Sequence, residues 1–241
     1  MYLITMNQEL HQAFLTSRRP HILQITNHGI HQWQVIPGLP DTGGQNVFVD
    51  QFTQTLAEMG YRITIINRGG YPHPITGEMH TGLSYRDSNQ RILYIEDEVK
   101  EFVRKEDMMD QIPQLVDFLD NFLQEEKTDV DLIISHFWDA AELGVQLNER
   151  LPRKVKHIWV PHEPGLLKER NETPENLEGL RNDERVAIEK EFMPKLDGIV
   201  STSSLVRDSL EDDYGYLSKL MLPPCIDTER YYKREVEDDH E

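Results

Sequence analysis

Short runs rich in isoleucine, valine and leucine alternate along this chain with longer amphipathic stretches, and no other feature constrains the fold so strongly. The runs fall at residues 21–26 (HILQIT), 61–67 (YRITIIN), 91–95 (RILYI), 130–135 (VDLIIS), 155–160 (VKHIWV), 198–202 (GIVST) and 219–222. Runs this short and this continuous fit strands buried on both faces. Between them, residues 45–59 set Val47, Phe48, Phe52, Leu56 and Met59 largely on one side and stop at Gly60. Residues 106–124 repeat Met109, Ile112, Leu115, Val116, Leu119 and Leu123, with Pro113 requiring a helix start or kink beside it. Residues 137–150, 174–193 and 203–213 complete the helical series. Strands alternating with helices of this length predict an α/β fold: a doubly wound, Rossmann-like parallel sheet of about six or seven strands, with helices on both faces.

The length, 241 residues at 38% hydrophobic and 28% charged, suits one large domain. We expect an N-terminal extension over residues 1–20, the domain over 21–232, and an acidic tail over 233–241 (KREVEDDHE). Two long connections, 27–42 and 69–90, are the places for functional loops or minor strands. The formal net charge of −18, from 43 acidic and 25 basic residues, argues against nucleic acid or an anionic membrane as the main partner. A single cysteine, Cys225, forms no internal disulfide and fits a reducing cytoplasm. No apolar stretch approaches the roughly 20 residues that span a bilayer, and residues 1–20 lack a signal-peptide core. The expectation is a cytoplasmic protein without a membrane span.

Four segments hold residue types that carry chemistry. Pro40-Asp41-Thr42-Gly43-Gly44-Gln45 follows the long connection after the first strand. Asp41 or Thr42 can cap the next helix, and two glycines let a ligand approach the first free amides; a plain helix start explains the glycines equally well. Ser135-His136-Phe137-Trp138-Asp139 ends a strand, where ligand crevices of open α/β sheets lie. His136 capping the next helix with Trp138 packed on it is the alternative. Residues 160–168 (VPHEPGLLK) bring His162, Gly165 and Lys168 off another strand end, as a ligand loop or as a solvated one. Arg181, Arg185 and Glu189 recur every fourth residue on one helix face, a spacing more typical of a salt-bridged surface than of a site. Neither a G-x-S-x-G elbow nor a metal-ligand spacing occurs, and we expect no metal and no tightly bound cofactor.

In this order the segments resemble the N-terminal domain of retaining GT-B glycosyltransferases of the sucrose-phosphate synthase and sucrose synthase group. Asp41-Thr42-Gly43-Gly44-Gln45 with its helix is similar to that group's D-T-G-G-Q segment. Residues 135–139 resemble its strand-end H-x-(W)-D segment, and 161–168 its G-H-S-L-G-x-x-K loop. Arg185-Val186-Ala187-Ile188-Glu189 resembles the R-I-x-x-E helix, and Pro223-Pro224-Cys225-Ile226-Asp227 the closing P-P-G-V-D. The resemblance runs from about residue 21 to 232. It implies that Gly43, Gly44 and Gln45 face the reacting sugars and that His162 contacts the donor sugar beside the reaction centre. By the same resemblance, His136, Trp138 and Asp139 shape the acceptor pocket, while Lys168 and Arg185, with Glu189 on the same face, meet an anionic group. The co-substrate implied is a nucleotide-diphosphate sugar (UDP-, ADP- or GDP-glucose), the acceptor a sugar or sugar phosphate, and the nucleotide site a C-terminal donor-binding domain. The chain departs from the pattern in Glu163-Pro164 after His162, in Glu184, and in Glu101 beside Lys100; each is a change in the region that would meet phosphate. A stand-alone sugar- or sugar-phosphate-binding module is the rival reading. A Rossmann dehydrogenase is disfavoured, because no G-x-G-x-x-G follows the first strand.

Overall fold

A strand covered by helices on both faces must be apolar on both, and the apolar runs become such strands in the computed structural model, which describes residues 2–36 and 38–224. In chain order the elements are α1 (Tyr2–Thr16), β1 (His21–Ile25), α2 (Gly44–Glu58), β2 (Arg62–Arg68), β3 (Gly82–Tyr85), β4 (Gln90–Ile95), α3 (Ile112–Glu126), β5 (Leu132–His136) and α4 (Trp138–Arg150). There follow β6 (Lys156–Val160), α5 (Gly165–Asn171), α6 (Pro174–Leu177), α7 (Asn182–Phe192), β7 (Gly198–Ser201), α8 (Ser204–Asp212) and β8 (Leu220–Met221).

The strands form one sheet in the order β3-β4-β2-β1-β5-β6-β7-β8, parallel except where β3 runs against β4. This is the doubly wound α/β sheet that the alternation predicts. From β1 the chain winds outward through β2 and β4, then returns to lay β5 on the other side of β1, with Ile25 opposite Ser135. That reversal leaves a crevice beyond the carboxyl ends of β1 and β5, the place where open α/β sheets bind ligands.

The pleat sorts side chains between two cores. Leu23, Ile25 and Ile133 pack with Ile112, Leu115 and Leu119 of α3 and Leu143 and Leu147 of α4. Ile22, Ile63, Ile65 and Ile134 pack on the other face with Phe48, Val49 and Leu56 of α2. A third cluster joins Trp138, Trp159, Phe192, Val206 and Leu210 at the β6–β7 end. Each fully buried side chain of this size contributes about 1.5–3 kcal/mol. Pro113 sits in the first turn of α3, after a 3-10 turn at Met108–Gln111, where its missing N–H costs nothing.

Two local expectations need correction, over residues 174–193 and 165–171, while a minor strand within 69–90 is one of the two outcomes expected there. Residues 174–193 do not form one helix: Gly179 (φ 79°) and Arg181 (φ 50°) take left-handed backbone, which separates α6 from α7. The long connection 69–90 holds β3, a short edge strand with no apolar signature. Residues 165–171 are helical, so Lys168 stands on α5 and not in a loop. The first 20 residues hold α1, whose Phe14 is fully buried beneath Arg62 and Arg91, with guanidinium-to-ring distances of 5.3 and 4.0 Å. The tail at 233–241 and the segment 225–232, Cys225 included, lie outside the described residues. Among the described residues no helix is long and apolar enough to cross a membrane.

Candidate functional site

The carboxyl ends of β1, β5 and β6 lie side by side, and each launches one of the chemistry-bearing segments. After β1, the chain folds back so that Thr42 meets Ile30. Thr42 Oγ1 accepts from the Ile30 amide at 2.9 Å, and Asp41 Oδ2 accepts from the Lys105 amide at 2.9 Å. Neither side chain therefore caps α2, contrary to the sequence expectation; Gly43 takes the N-cap position. Gly29 (φ 71°) permits the fold-back, because a Cβ there would meet the Asp41 carbonyl oxygen at 2.3 Å.

At the start of α2 the Gly43 amide donates to Asn46 Oδ1 at 3.0 Å, and Gln45 Nε2 donates to Thr26 Oγ1 at 3.1 Å. The amides of Gly44 and Gln45 belong to the first helical turn and have no intrahelical acceptor. Open space lies in front of Gly43 and Gly44, where a Cβ would meet nothing within 4 Å. Two amides without intrahelical acceptors at the positive end of a helix, with open space beside Gly44, make an arrangement of the kind that binds anions.

Beside it runs a buried chain of hydrogen bonds. Thr53 Oγ1 donates to Gln24 Oε1 (2.7 Å), Gln24 Nε2 donates to His136 Nε2 (3.2 Å), and His136 Nδ1 donates to His162 Nε2 (3.0 Å). With its Nε2 accepting, the neutral His162 ring carries its proton on Nδ1. Phe48 of α2 stands edge-on to both rings, with centroids 5.8 Å from His136 and 5.2 Å from His162, so the first turns of α2 and the histidine pair touch.

The backbone here is strained. His162 (φ 58°), Asp41 (φ 47°) and Phe137 (φ 75°, ψ 173°) all occupy backbone regions that glycine favours. Phe137 is held there by its amide on the Val160 carbonyl (3.0 Å) and by Trp159 Nε1 on its own carbonyl (2.9 Å). Strain of this kind costs of order 1–3 kcal/mol per residue and collects at functional sites.

Burial keeps these imidazoles neutral. His162 is lowered to about 3 by burial and then by the nearby His28; His31 is lowered to about 3 by burial and then by Arg86. His136 is held well below its ordinary value by burial first and then by His162, His31 and His28. Unfolded, each ring takes up its proton near pH 6.5. Below that pH the unfolded state binds more protons than the folded one, so folding stability falls as the pH drops from about 6.5 towards 3. Urea unfolding at pH 7, 6 and 5 should show that decline, with a ceiling of about 1.4 kcal/mol per pH unit for each histidine. A flat profile over that range would contradict a neutral cluster.

The other expected residues fall around this centre. Asp139, fully buried in the first turn of α4, accepts from His28 Nδ1 at 3.0 Å. His28 also stands edge-on to Phe137, with ring centroids 4.8 Å apart. Trp138 belongs to the core and lines one wall of a small cleft with Lys105, Phe137, Glu163, Lys168 and Arg185. Lys168 Nζ lies 3.5 Å from Glu163 and 3.6 Å from Glu172. Arg185 and Glu189 are not a surface pair: both are buried, with Nε to Oε1 at 2.8 Å. Arg185 also stacks 4.2 Å over Phe137 and donates to the Glu163 carbonyl. Glu189 accepts from the Gly165 amide at 2.9 Å and from the Tyr214 hydroxyl, which in turn accepts from the Leu166 amide at 3.0 Å. Arg181, the remaining member of that helix spacing, faces outward to Asp110 and Glu184 at 2.8 and 2.6 Å. Sequence reasoning missed Gln24, His28 and His31; a glutamine inside an apolar strand run was the one available signal. Among the described residues no His, Cys, Asp or Glu cluster could hold a metal ion.

Comparison with known proteins identifies the family. The chain is 28% identical over 226 residues to mannosylfructose-phosphate synthase of Agrobacterium fabrum, covering 90% of this chain and 48% of that protein. It is 25% identical over 202 residues to a D-inositol 3-phosphate glycosyltransferase of Corynebacterium jeikeium, covering 81% and 45%. The fold superposes on sucrose-phosphate synthase from Thermosynechococcus elongatus with a TM-score of 0.69 at 20% identity, over 85% of this chain and 48% of that one. On the catalytic domain of starch synthase IV from Arabidopsis thaliana, a structure bound to ADP and acarbose, the TM-score is 0.54 at 12% identity, over 88% and 53%. The chain thus spans about half the length of the curated relatives it matches. Residues 42–230 match Glycosyltransferase Family 4, and with its Rossmann-like sheet of the GT-B kind the chain belongs to that family, in the group similar to the sucrose-phosphate synthases.

Proposed function

We propose that this chain is the acceptor-side domain of a retaining hexosyltransferase. In this reading it works with a C-terminal donor-binding domain to move a hexose, glucose in the first instance, from a nucleotide-diphosphate sugar to a sugar or sugar-phosphate acceptor. The observation that carries the reading is the first turn of α2, with the acceptor-free amides of Gly44 and Gln45 and open space beside Gly44, next to the His136–His162 hydrogen bond at the switch point of the sheet. The names of the relatives, a mannosylfructose-phosphate synthase and an inositol-phosphate glycosyltransferase, support hexosyl transfer to a polyol acceptor.

In such a transfer the bond from the anomeric carbon to the diphosphate oxygen breaks, and the acceptor oxygen bonds to that carbon on the same face. The acceptor proton passes to the departing diphosphate, so no protein base is required. What the protein supplies is charge stabilisation and orientation. The Gly44 and Gln45 amides face the negative charge that grows on the diphosphate. His162 Nδ1–H, aimed by His136 and Gln24, holds a hydroxyl of the donor sugar. The neutral histidines suit this division of labour.

Gly44→Ala tests the reading directly. A methyl group there meets no protein atom, and alanine in a first helical turn is up to about 1 kcal/mol more favourable than glycine. The variant should therefore fold at least as stably as the parent. It should nonetheless lose nucleotide-sugar turnover in the full-length polypeptide, because the methyl occupies the approach to the amides. Undiminished turnover with any of UDP-, ADP- or GDP-glucose would remove the diphosphate from this helix end. Proton coupling constants of the new linkage, read by NMR, distinguish retention from inversion.

A further inference from the structure

The charges around the cleft have a pattern that the names of the relatives do not suggest. Among the described residues, the cations nearest the site are already matched by carboxylates. Lys168 lies between Glu163 and Glu172, Arg185 is paired with Glu189, and Arg181 with Asp110 and Glu184. Arg68, at the carboxyl end of β2, spends four of its five donors internally: two on Asp97 (2.6 and 2.8 Å), and one each on the Val99 and Glu101 carbonyls at 2.6 and 3.0 Å. Lys100 reaches Glu96 at 3.5 Å, and Lys105 reaches Glu106 at 4.0 Å. The first amides of α5 are used as well, by Glu189 on Gly165 and Tyr214 on Leu166. A phosphate dianion entering here would meet Glu163 and Glu172 beside the cleft lysine, and like charges brought together in a partly buried cleft repel.

A second observation is independent of charge. Asn27 has no partner for either side-chain atom, His31 has none for either ring nitrogen, and Asp139 Oδ2 has none, although all are buried. These residues come from two adjacent strand ends. Asn27 and His31 lie on the connection leaving β1, and Asp139 on the first turn after β5 binds His28 of that same connection. Buried polar atoms left without partners are uncommon, and each calls for a partner outside the chain's own side chains or for a functional role. Amide, neutral imidazole and a carboxylate oxygen are the complement of hydroxyl groups.

We propose that the acceptor of this domain is an uncharged polyol, a sugar or cyclitol presenting hydroxyls and no phosphate, and that Asn27, His31 and Asp139 read those hydroxyls. The inference rests on the acceptor-side reading above and narrows its substrate class. It parts from the curated relatives, whose names carry phosphate.

Matched pairs test it: fructose with fructose 6-phosphate, glucose with glucose 6-phosphate, and myo-inositol with inositol 1-phosphate. Each is titrated by calorimetry into the 241-residue chain and offered as acceptor to the full-length polypeptide. The expected result is that, in at least one pair, the uncharged member binds about tenfold or more tightly than its phosphorylated partner, with little dependence on salt. A phosphorylated member that binds more tightly in every pair where either binds overturns the proposal and leaves the transferase reading standing. Neither binding nor transfer with any member of any pair overturns both. Two variants sharpen the test. Asn27→Leu removes unpartnered polar atoms, so it should fold without loss of stability and yet weaken polyol binding about tenfold or more. Unchanged polyol binding would take Asn27 out of the site. The double change Glu163→Gln and Glu172→Gln, which frees Lys168, should raise affinity for the phosphorylated members about tenfold. No gain would show that charge matching is not what excludes phosphate, and the proposal would fall.

Discussion

Arg185→Met should cost about 3–5 kcal/mol of unfolding free energy, because it leaves Glu189 buried with no countercharge. Glu189 is fully buried and holds three groups at once: Arg185, the Gly165 amide and the Tyr214 hydroxyl. The damage extends beyond the ion pair. Arg185 also binds the Glu163 carbonyl and covers the ring of Phe137, so its loss loosens the two strained turns that present His162 and His136. Chemical denaturation of the single variants and of Arg185→Met with Glu189→Gln checks the expectation. Neutralising the orphaned carboxylate should recover part of the loss, and the two single effects should not add. A cost below about 1 kcal/mol for Arg185→Met would place the pair in the class of exposed ion pairs.

This same pair shows where the sequence stops being readable. A spacing of four puts Arg185 and Glu189 on one helix face, and that geometry is identical whether the face meets water or a packed loop. What buries it is Gly165, where a Cβ would collide with Val186 Cγ2 at 2.8 Å, together with Phe137 and Tyr214, none of them near in sequence. The neighbouring Arg181, in the same periodic series, stays at the surface because left-handed backbone at Gly179 and Arg181 opens the chain just before α7. The buried strands were legible for the opposite reason. A strand covered on both faces has to be apolar throughout, so β1, β2, β4, β5, β6 and β7 announce themselves, whereas β3, half-exposed at an edge, carries no such demand. Within the site, the glycines and strand-end histidines stood out as residue types. Gln24, His28 and His31 became visible only through their partners, or through having none.

The prediction with the largest kinetic effect concerns His162. Truncating it to alanine in the full-length polypeptide should lower kcat about 10²–10³-fold, the range for loss of one preorganised hydrogen-bond donor at a reacting centre. The acceptor KM should change little. In the proposed function the ring meets the donor sugar, whereas in the proposed acceptor reading Asn27, His31 and Asp139 meet the acceptor. The geometry supplies the reason for so large an effect. His162 is fixed by a left-handed backbone, by the ring of Phe48 and by His136, whose other nitrogen is fixed by Gln24 and, through it, Thr53. Such a donor needs no reorganisation as the glycosidic bond breaks, and the barrier it removes is felt in kcat and not in binding. Gln24→Leu is the companion test. It removes the link between α2 and His136 while leaving His162 in place, so it should lower kcat by a smaller factor, about tenfold, again without raising the acceptor KM. An unchanged kcat in His162→Ala with a raised acceptor KM would move His162 to acceptor binding. An unchanged kcat in Gln24→Leu would show that the histidine pair keeps its orientation without the buried chain behind it.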